Sequence, residues 1–168
     1  MEHVDLYPTI AELAGVPVSS AESIEGDSYA ALFESDSLTP AIAPAFEAAY
    51  TQYPRCNRGN MPIDILNNTR CASVAKQDFK YMGYSIRTPT WRYTEYAEWN
   101  GMLLCPIWNA SVPCVYSELY DHTGDDGFGL HVFNDFENVN LAFKPEHLKT
   151  VQTLSAQLRA FYKSERCA

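Results

Sequence analysis

The spacing of apolar positions changes period along the chain, and each change marks an element. Over residues 5–15, Leu6, Ile10 and Leu13 fall on one helical face. Asp5 is placed to cap that helix, Pro8 is tolerated in its first turn, and Gly15 and Pro17 end it. Residues 16–43 form an acidic connector with one brief helical segment at 28–33, and 45–50 reads as a strand. Residues 54–78 hold Pro, Asn, Gly and two cysteines and read as a long loop. Aromatic and β-branched residues then predict strands at 80–88 and 91–99, joined through Pro89 and Thr90 as a hairpin. A loop at 103–114, a short strand at 118–120 and a turn-rich stretch at 121–129 follow. The period returns to helical over 145–162, where Leu148, Val151, Leu154, Leu158 and Phe161 make one stripe and Lys149, Gln152, Arg159 and Lys163 point elsewhere. Pro145 at the first position and Glu146 in the first turn suit a helix start. The expected class is α+β: a small antiparallel sheet packed against a carboxy-terminal helix.

Composition narrows the picture. The 168 residues are 46% apolar and 20% charged, enough for one ordinary domain or a small domain with an appendage. The best apolar stretch, 41–50, is interrupted by Pro44 and Glu47, so no membrane span is expected. The opening residues lack the cationic flank and apolar stretch of a secretory signal. The net charge of −9 is unevenly laid out. Residues 1–54 carry nine acids and no Lys or Arg, and 93–143 carry eight acids and none. Between them, 55–92 holds seven basic residues against Asp64 and Asp78, a local excess of +5. Overall acidity argues against nucleic-acid binding, because phosphates would be repelled over most of the surface. The basic block either faces an anion or pairs with its acidic flanks.

Five cysteines and two glycosylation sequons, at Asn67 and Asn109, point to an oxidising secretory compartment, lysosomal or extracellular. The chain itself shows no targeting signal. A longer secretory protein whose amino-terminal part is absent reconciles the two, and the odd cysteine count fits that reading. Cys105 and Cys114 are expected to bridge the loop they flank, with Cys56–Cys71 as a second candidate and Cys167 left over. Five reduced thiols are the alternative.

No self-contained active site emerges from the residues. Gly83-Tyr84-Ser85-Ile86-Arg87 begins like a nucleophile elbow but lacks the closing glycine. The histidines, His3, His122, His131 and His147, have no partner four residues away, and no cysteine pair has zinc spacing. Asp121, Thr123 and Asp125 imitate a calcium loop, but Asp126 stands where glycine is needed and Val132 where the bidentate glutamate belongs.

Longer motifs carry a resemblance. Asp5-Leu6-Tyr7-Pro8-Thr9, with Ala14-Gly15 after it, resembles the helix that follows the catalytic sheet in sulfatases of the alkaline-phosphatase superfamily. Gln52-Tyr53-Pro54-Arg55, Met82-Gly83-Tyr84-Ser85-Ile86-Arg87-Thr88 and Trp91-Arg92-Tyr93-Thr94-Glu95 resemble the carboxy-terminal subdomain of iduronate-2-sulfatases. Glu118-Leu119-Tyr120-Asp121-His122 and Asn140-Leu141-Ala142 follow in the same order. The resemblance implies that residues 1–43 are the tail of an α/β catalytic domain and a connector, and 44–168 the carboxy-terminal subdomain.

The same resemblance implies hydrolysis of sulfate esters by a formylglycine, made from a cysteine in Cys-x-Pro-x-Arg, beside a calcium held by carboxylates. None of the five cysteines stands in that setting, and the family's calcium carboxylates precede this segment, so no catalytic or metal residue carries over. The isolated chain is expected to be inactive. Its partners would be the catalytic domain and, in the complete enzyme, a sulfated glycan. A non-catalytic anion-binding or interaction module derived from a sulfatase is the alternative. Within the basic block, Arg55 is the candidate substrate contact, because a guanidinium can donate two parallel hydrogen bonds to carboxylate or sulfate. A structural role, clamping an acid of 93–143, competes with it. Arg87 is a second candidate, with stacking on an aromatic ring as its alternative.

Overall fold

The computed structural model describes residues 2–18, 23–34, 48–56, 71, 74–125 and 135–163. The chain divides into two compact units, Met1–Ala49 and Tyr50–Ala168. The expected boundary at 43/44 lies outside the described residues.

In the first unit a 3-10 turn, His3–Asp5, runs into helix α1, Leu6–Leu13, and a short helix α2 spans Ala31–Glu34. Asp5 does not cap α1 with its side chain. Its carboxylate instead accepts from the backbone N–H groups of Glu2 (2.5 Å) and Asp27 (3.0 Å). Thr9 donates to the Asp5 carbonyl at 2.6 Å and accepts from the Tyr29 N–H at 2.9 Å. These bonds tie 23–30 to the helix, beside the buried Ala11, Tyr29 and Ala30. Leu6, Ile10 and Leu13 are 44%, 62% and 48% exposed. Gly15 takes the left-handed conformation (φ 65°) that ends the helix at no steric cost.

The second unit is built on a five-stranded sheet: β1 (Ala49–Arg55), β2 (Tyr81–Arg87), β3 (Trp91–Asn100), β4 (Cys105–Ile107) and β5 (Ser117–Asp121). β3 is its axis. It pairs antiparallel with β2 along its whole length, from Tyr81 opposite Glu98 to Arg87 opposite Arg92. Its other edge is shared: β5 pairs with its first half, Trp91 opposite Asp121 to Glu95 opposite Ser117, and β4 with its end. β1 lies beyond β2.

The period of two sends alternate residues to opposite faces. Met82, Tyr84, Ile86, Tyr93, Ala97 and Leu119 are buried on one face, which α3 (Leu148–Phe161) covers with Val151, Leu154 and Leu158. Leu148 and Phe161, the ends of the expected stripe, are exposed, and Ser155 is buried in their place. The reason is one buried acid. Glu95, 1% exposed, accepts from Ser155 (2.8 Å), Tyr93 (3.2 Å) and Arg159, so this face takes a polar partner at its centre.

Three expectations need correction. The strand read at 45–50 runs from Ala49 to Arg55, so the motif Gln52-Tyr53-Pro54-Arg55 belongs to an edge strand; an edge strand tolerates Pro54, which has no N–H for the ladder. The stretch read as a loop at 103–114 contains β4. Cys105 and Cys114 are not bridged. Cys114 is a free, buried thiol directed at the Tyr116 carbonyl (3.4 Å), and Cys105 is disulfide-bonded elsewhere. The Cys56–Cys71 bridge is formed, with Cα atoms 5.5 Å apart.

Candidate functional site

The uncovered face of the sheet carries Gly83 and Ser85 from β2, Arg92, Thr94 and Tyr96 from β3, and Glu118 from β5, all at matching register positions. Thr51, Gln52, Tyr53 and Arg55 of β1 complete a groove of about 350 Å³ over them. Ser85 and Thr94, opposite one another, hydrogen-bond at 3.0 Å and form its floor. Gly83 has a steric reason to be there: a Cβ at this position would lie 2.9 Å from the Tyr96 ring and 3.5 Å from the Tyr53 carbonyl. Without a side chain at 83, Tyr96 lies flat across β2 and walls the groove.

Arg55 is half-buried in this groove, its guanidinium 5.4 Å from the Tyr53 ring centre and 5.7 Å from that of Tyr96. Cation–π contacts of this kind hold the planar group without using its N–H donors. Its Nε is buried and has no hydrogen-bond partner, and among the described residues no carboxylate lies within 4 Å of it. The clamp on an acid of 93–143 is therefore not seen among the described residues. One acid of that segment, Glu118, lines the same groove and feels the charge of Arg55. Burial pushes the Glu118 carboxyl above its ordinary range; Arg92 and Arg55 draw it partly back, and Glu137 pushes it further up. Among the described residues Glu118 accepts no hydrogen bond.

Arg87 has a different setting. It donates to Asp125 at 3.3 Å and to the Thr88 carbonyl, and so fastens the turn after β5. Around that turn the groups close into a ring. His122, itself buried, reaches Asp125 through Nδ1 (2.8 Å) and faces Glu137 through Nε2 (3.3 Å), while Arg92 pairs with Glu137. Asp121 accepts from the Thr123 N–H at 2.8 Å, and these hydrogen bonds hold its carboxyl below the usual range. The residues that imitate a calcium loop thus serve as a turn.

Asn140 sets the position of β5. Its carbonyl oxygen accepts from the N–H of Leu119 (3.0 Å) and of Ala142 (2.9 Å), and its amide donates to the Ser117 carbonyl (3.0 Å). Ser117 and Leu119 flank Glu118, so this side chain fixes the strand that carries the acid of the groove.

Asn109 is exposed, with its Oδ1 accepting from the Ser111 N–H at 2.9 Å. Asn67 lies outside the described residues, as does Cys167. Of the residues lining this groove, reading the sequence alone singled out Arg55 but not Tyr96, Arg92 or Glu118. The period-two pattern of β3 was the available signal: Arg92, Thr94 and Tyr96 share a face with each other and oppose Tyr93 and Glu95.

No family model and no curated protein matches the chain. Two solved structures are similar to it: a Bacteroides thetaiotaomicron protein assigned as a sulfatase, at 22% identity and a TM-score of 0.48, and a 2-O GAG sulfatase, at 22% and 0.47. Each similarity covers 94% of this chain and 23% of the other, in the carboxy-terminal part of those proteins. The chain spans less than a quarter of either length.

Proposed function

We propose that the chain is the carboxy-terminal portion of a sulfate-ester hydrolase of the iduronate-2-sulfatase kind, acting on sulfated glycans. One observation carries the reading: residues from four separate stretches that bear the family resemblance meet in one groove. They are Gln52, Tyr53 and Arg55, Gly83 and Ser85, Arg92 and Thr94, and Glu118. Motifs kept only for packing would sit mainly on the face beneath α3. Here their polar alternate residues converge on an open, charged hollow.

The nucleophile and the metal come from outside this segment in the proposed enzyme. Among the described residues no three His, Cys, Asp or Glu side chains converge into a metal site, so they do not fit a calcium. What the chain supplies is a positively charged wall that binds and orients. The Cys56–Cys71 bridge and the exposed Asn109 sequon support passage through the secretory pathway.

The test is co-expression with a sulfatase catalytic domain that bears Cys-x-Pro-x-Arg, followed by an assay of sulfate release from a 2-sulfated uronate disaccharide. Release is expected from the combination and from neither part alone. A folded combination that releases no sulfate overturns the reading. A second reading, a non-catalytic anion-binding module, is favoured by one fact: the groove is complete within 50–168. Binding without release in any combination selects it.

A further inference from the structure

We infer that the groove between β1, β2, β3 and β5 binds a single hydroxylated ring bearing an oxyanion, with Arg55 donating to the anion and Glu118 accepting from a ring hydroxyl. The inference deepens the proposed function and rests on it only for the origin of the ligand, a glycan. Its physical basis lies in the groove itself.

Arg55 is a cation prepared for a partner the described residues do not provide. Its two tyrosine contacts fix the guanidinium without meeting its donors, and its Nε is buried without a hydrogen bond. A buried donor left unpaired is costly, and such groups in folded proteins point to a ligand or a bound water. The in-plane fork of a guanidinium matches the edge of a carboxylate or sulfate. Both anions present that edge, so the shared chemistry is an oxyanion.

Glu118 decides what else the ligand must carry. When ionised it can only accept hydrogen bonds, and among the described residues nothing donates to it. A second anionic group near it would be repelled, whereas a hydroxyl would satisfy it. Arg55 and Glu118 line the same groove and their charges interact, with no ion pair between them among the described residues. Arg92, the other cation of the groove, is engaged by Glu137. Tyr53, 51% exposed, offers an apolar ring face to the hollow. The volume of about 350 Å³ is at the small end of the range for ligand sites. That favours one ring over several.

The experiment titrates the purified chain, by NMR and calorimetry at fixed ionic strength, with glucuronate, glucose 6-sulfate, methyl glucoside and inorganic sulfate. At least one sugar acid should bind, and methyl glucoside should not. Tighter binding of glucuronate identifies a carboxylate as the anion, and tighter binding of glucose 6-sulfate a sulfate. Arg55→Lys keeps the charge but loses the fork, and should weaken the sugar acid about tenfold. Glu118→Ala should weaken the sugar acid without weakening inorganic sulfate. Should Arg55→Lys fail to fold, Thr51→Trp fills the groove from an exposed position and should abolish binding. Equal binding of methyl glucoside, binding indifferent to Arg55→Lys and Thr51→Trp, or no binding of any probe overturns the site. None of these titrations needs turnover, so their failure leaves the co-expression assay as an independent test of the enzyme.

Discussion

Arg159 of α3 reaches 64 positions back along the chain to Glu95 of β3, meeting both carboxylate oxygens through Nε (3.3 Å) and Nη2. The same guanidinium donates to the Asn109 carbonyl at 2.8 Å and lies 5.3 Å from the Trp108 ring centre. Glu95 is 1% exposed, so its charge depends on this partner. Removing one member of a buried pair leaves the other uncompensated, at a cost of about 3–5 kcal/mol. Arg159→Ala should therefore lower stability by roughly 3 kcal/mol, read as the urea midpoint. Adding Glu95→Gln to Arg159→Ala should recover part of the loss. A loss below about 1 kcal/mol in the single variant would show that the helix is held by its apolar stripe alone.

Two glycines separate stability from groove shape. A Cβ at Gly101 would lie 1.9 Å from the Gln77 backbone carbonyl oxygen, and backbone cannot step aside as a side-chain tip can. Gly101→Ala should cost about 1–3 kcal/mol, the usual range for overpacking, with ligand affinity unchanged in the folded fraction. At Gly83 the first obstacle is the Tyr96 ring. Gly83→Ala should shift that ring, cost less stability, and weaken sugar-acid binding. Equal effects of the two variants on binding would remove Tyr96 from the groove's wall.

The cysteines give a chemical check. Non-reducing peptide mapping with alkylation under denaturing conditions should find Cys114 modified as a free thiol and Cys56 linked to Cys71. A Cys105–Cys114 peptide would overturn the arrangement around β4. Cys114→Ser should be tolerated poorly, because it puts a more polar hydroxyl where a thiol is only 3% exposed.

The hairpin of β2 and β3 was readable because aromatic and β-branched residues fill both strands and Pro89 and Thr90 mark the turn between them. The terminal helix was readable for its stripe, though not for its polar centre, since the reason for Ser155 lies at Glu95, 60 residues away. β1 was displaced in the reading because Pro54 suggests the end of a strand, and only pairing with β2 shows an edge that tolerates it. β4 is three residues long with a proline in the middle, so it carries no periodic signal of its own. The groove shows the same division. Arg55 stood out by charge and motif, whereas Tyr96 and Glu118 gain meaning only from the register that brings β3 and β5 together.

Asn140 offers a way to loosen the groove without entering it. Two of its three hydrogen bonds fix β5 on either side of Glu118, and the third holds Ala142. Asn140→Asp keeps the acceptor and loses the amide donor to Ser117, so it should retain most of the stability that Asn140→Ala loses. The Ala variant should cost about 1–3 kcal/mol, because two N–H groups lose their acceptor. Hydrogen exchange at Leu119 and Ala142 reads the effect directly. Protection unchanged in Asn140→Ala would show that β5 is held by β3 alone.

Glu118 makes the groove sensitive to acid in a defined direction. Burial is the main reason its carboxyl is raised above the ordinary value of 4.5, with Arg92 and Arg55 opposing and Glu137 reinforcing. The folded state therefore binds this proton more readily than the unfolded one. Stability from this group is fully present below the unfolded value and is lost as pH rises through the higher folded value. Glu118→Gln, neutral at every pH, removes the step. The wild type should lose stability relative to Glu118→Gln as pH climbs from about 4.5 towards neutrality, seen as diverging urea midpoints. Binding should follow the same proton. Below the folded value Glu118 no longer offers the hydroxyl a carboxylate, so a sugar acid should bind more weakly as pH falls, in the direction of Glu118→Ala. In Glu118→Gln that dependence should flatten, leaving only the titration of the ligand. A wild-type affinity that tightens on acidification, while the ligand remains ionised, would mean that ionised Glu118 costs more by opposing the anion than it contributes by accepting the hydroxyl.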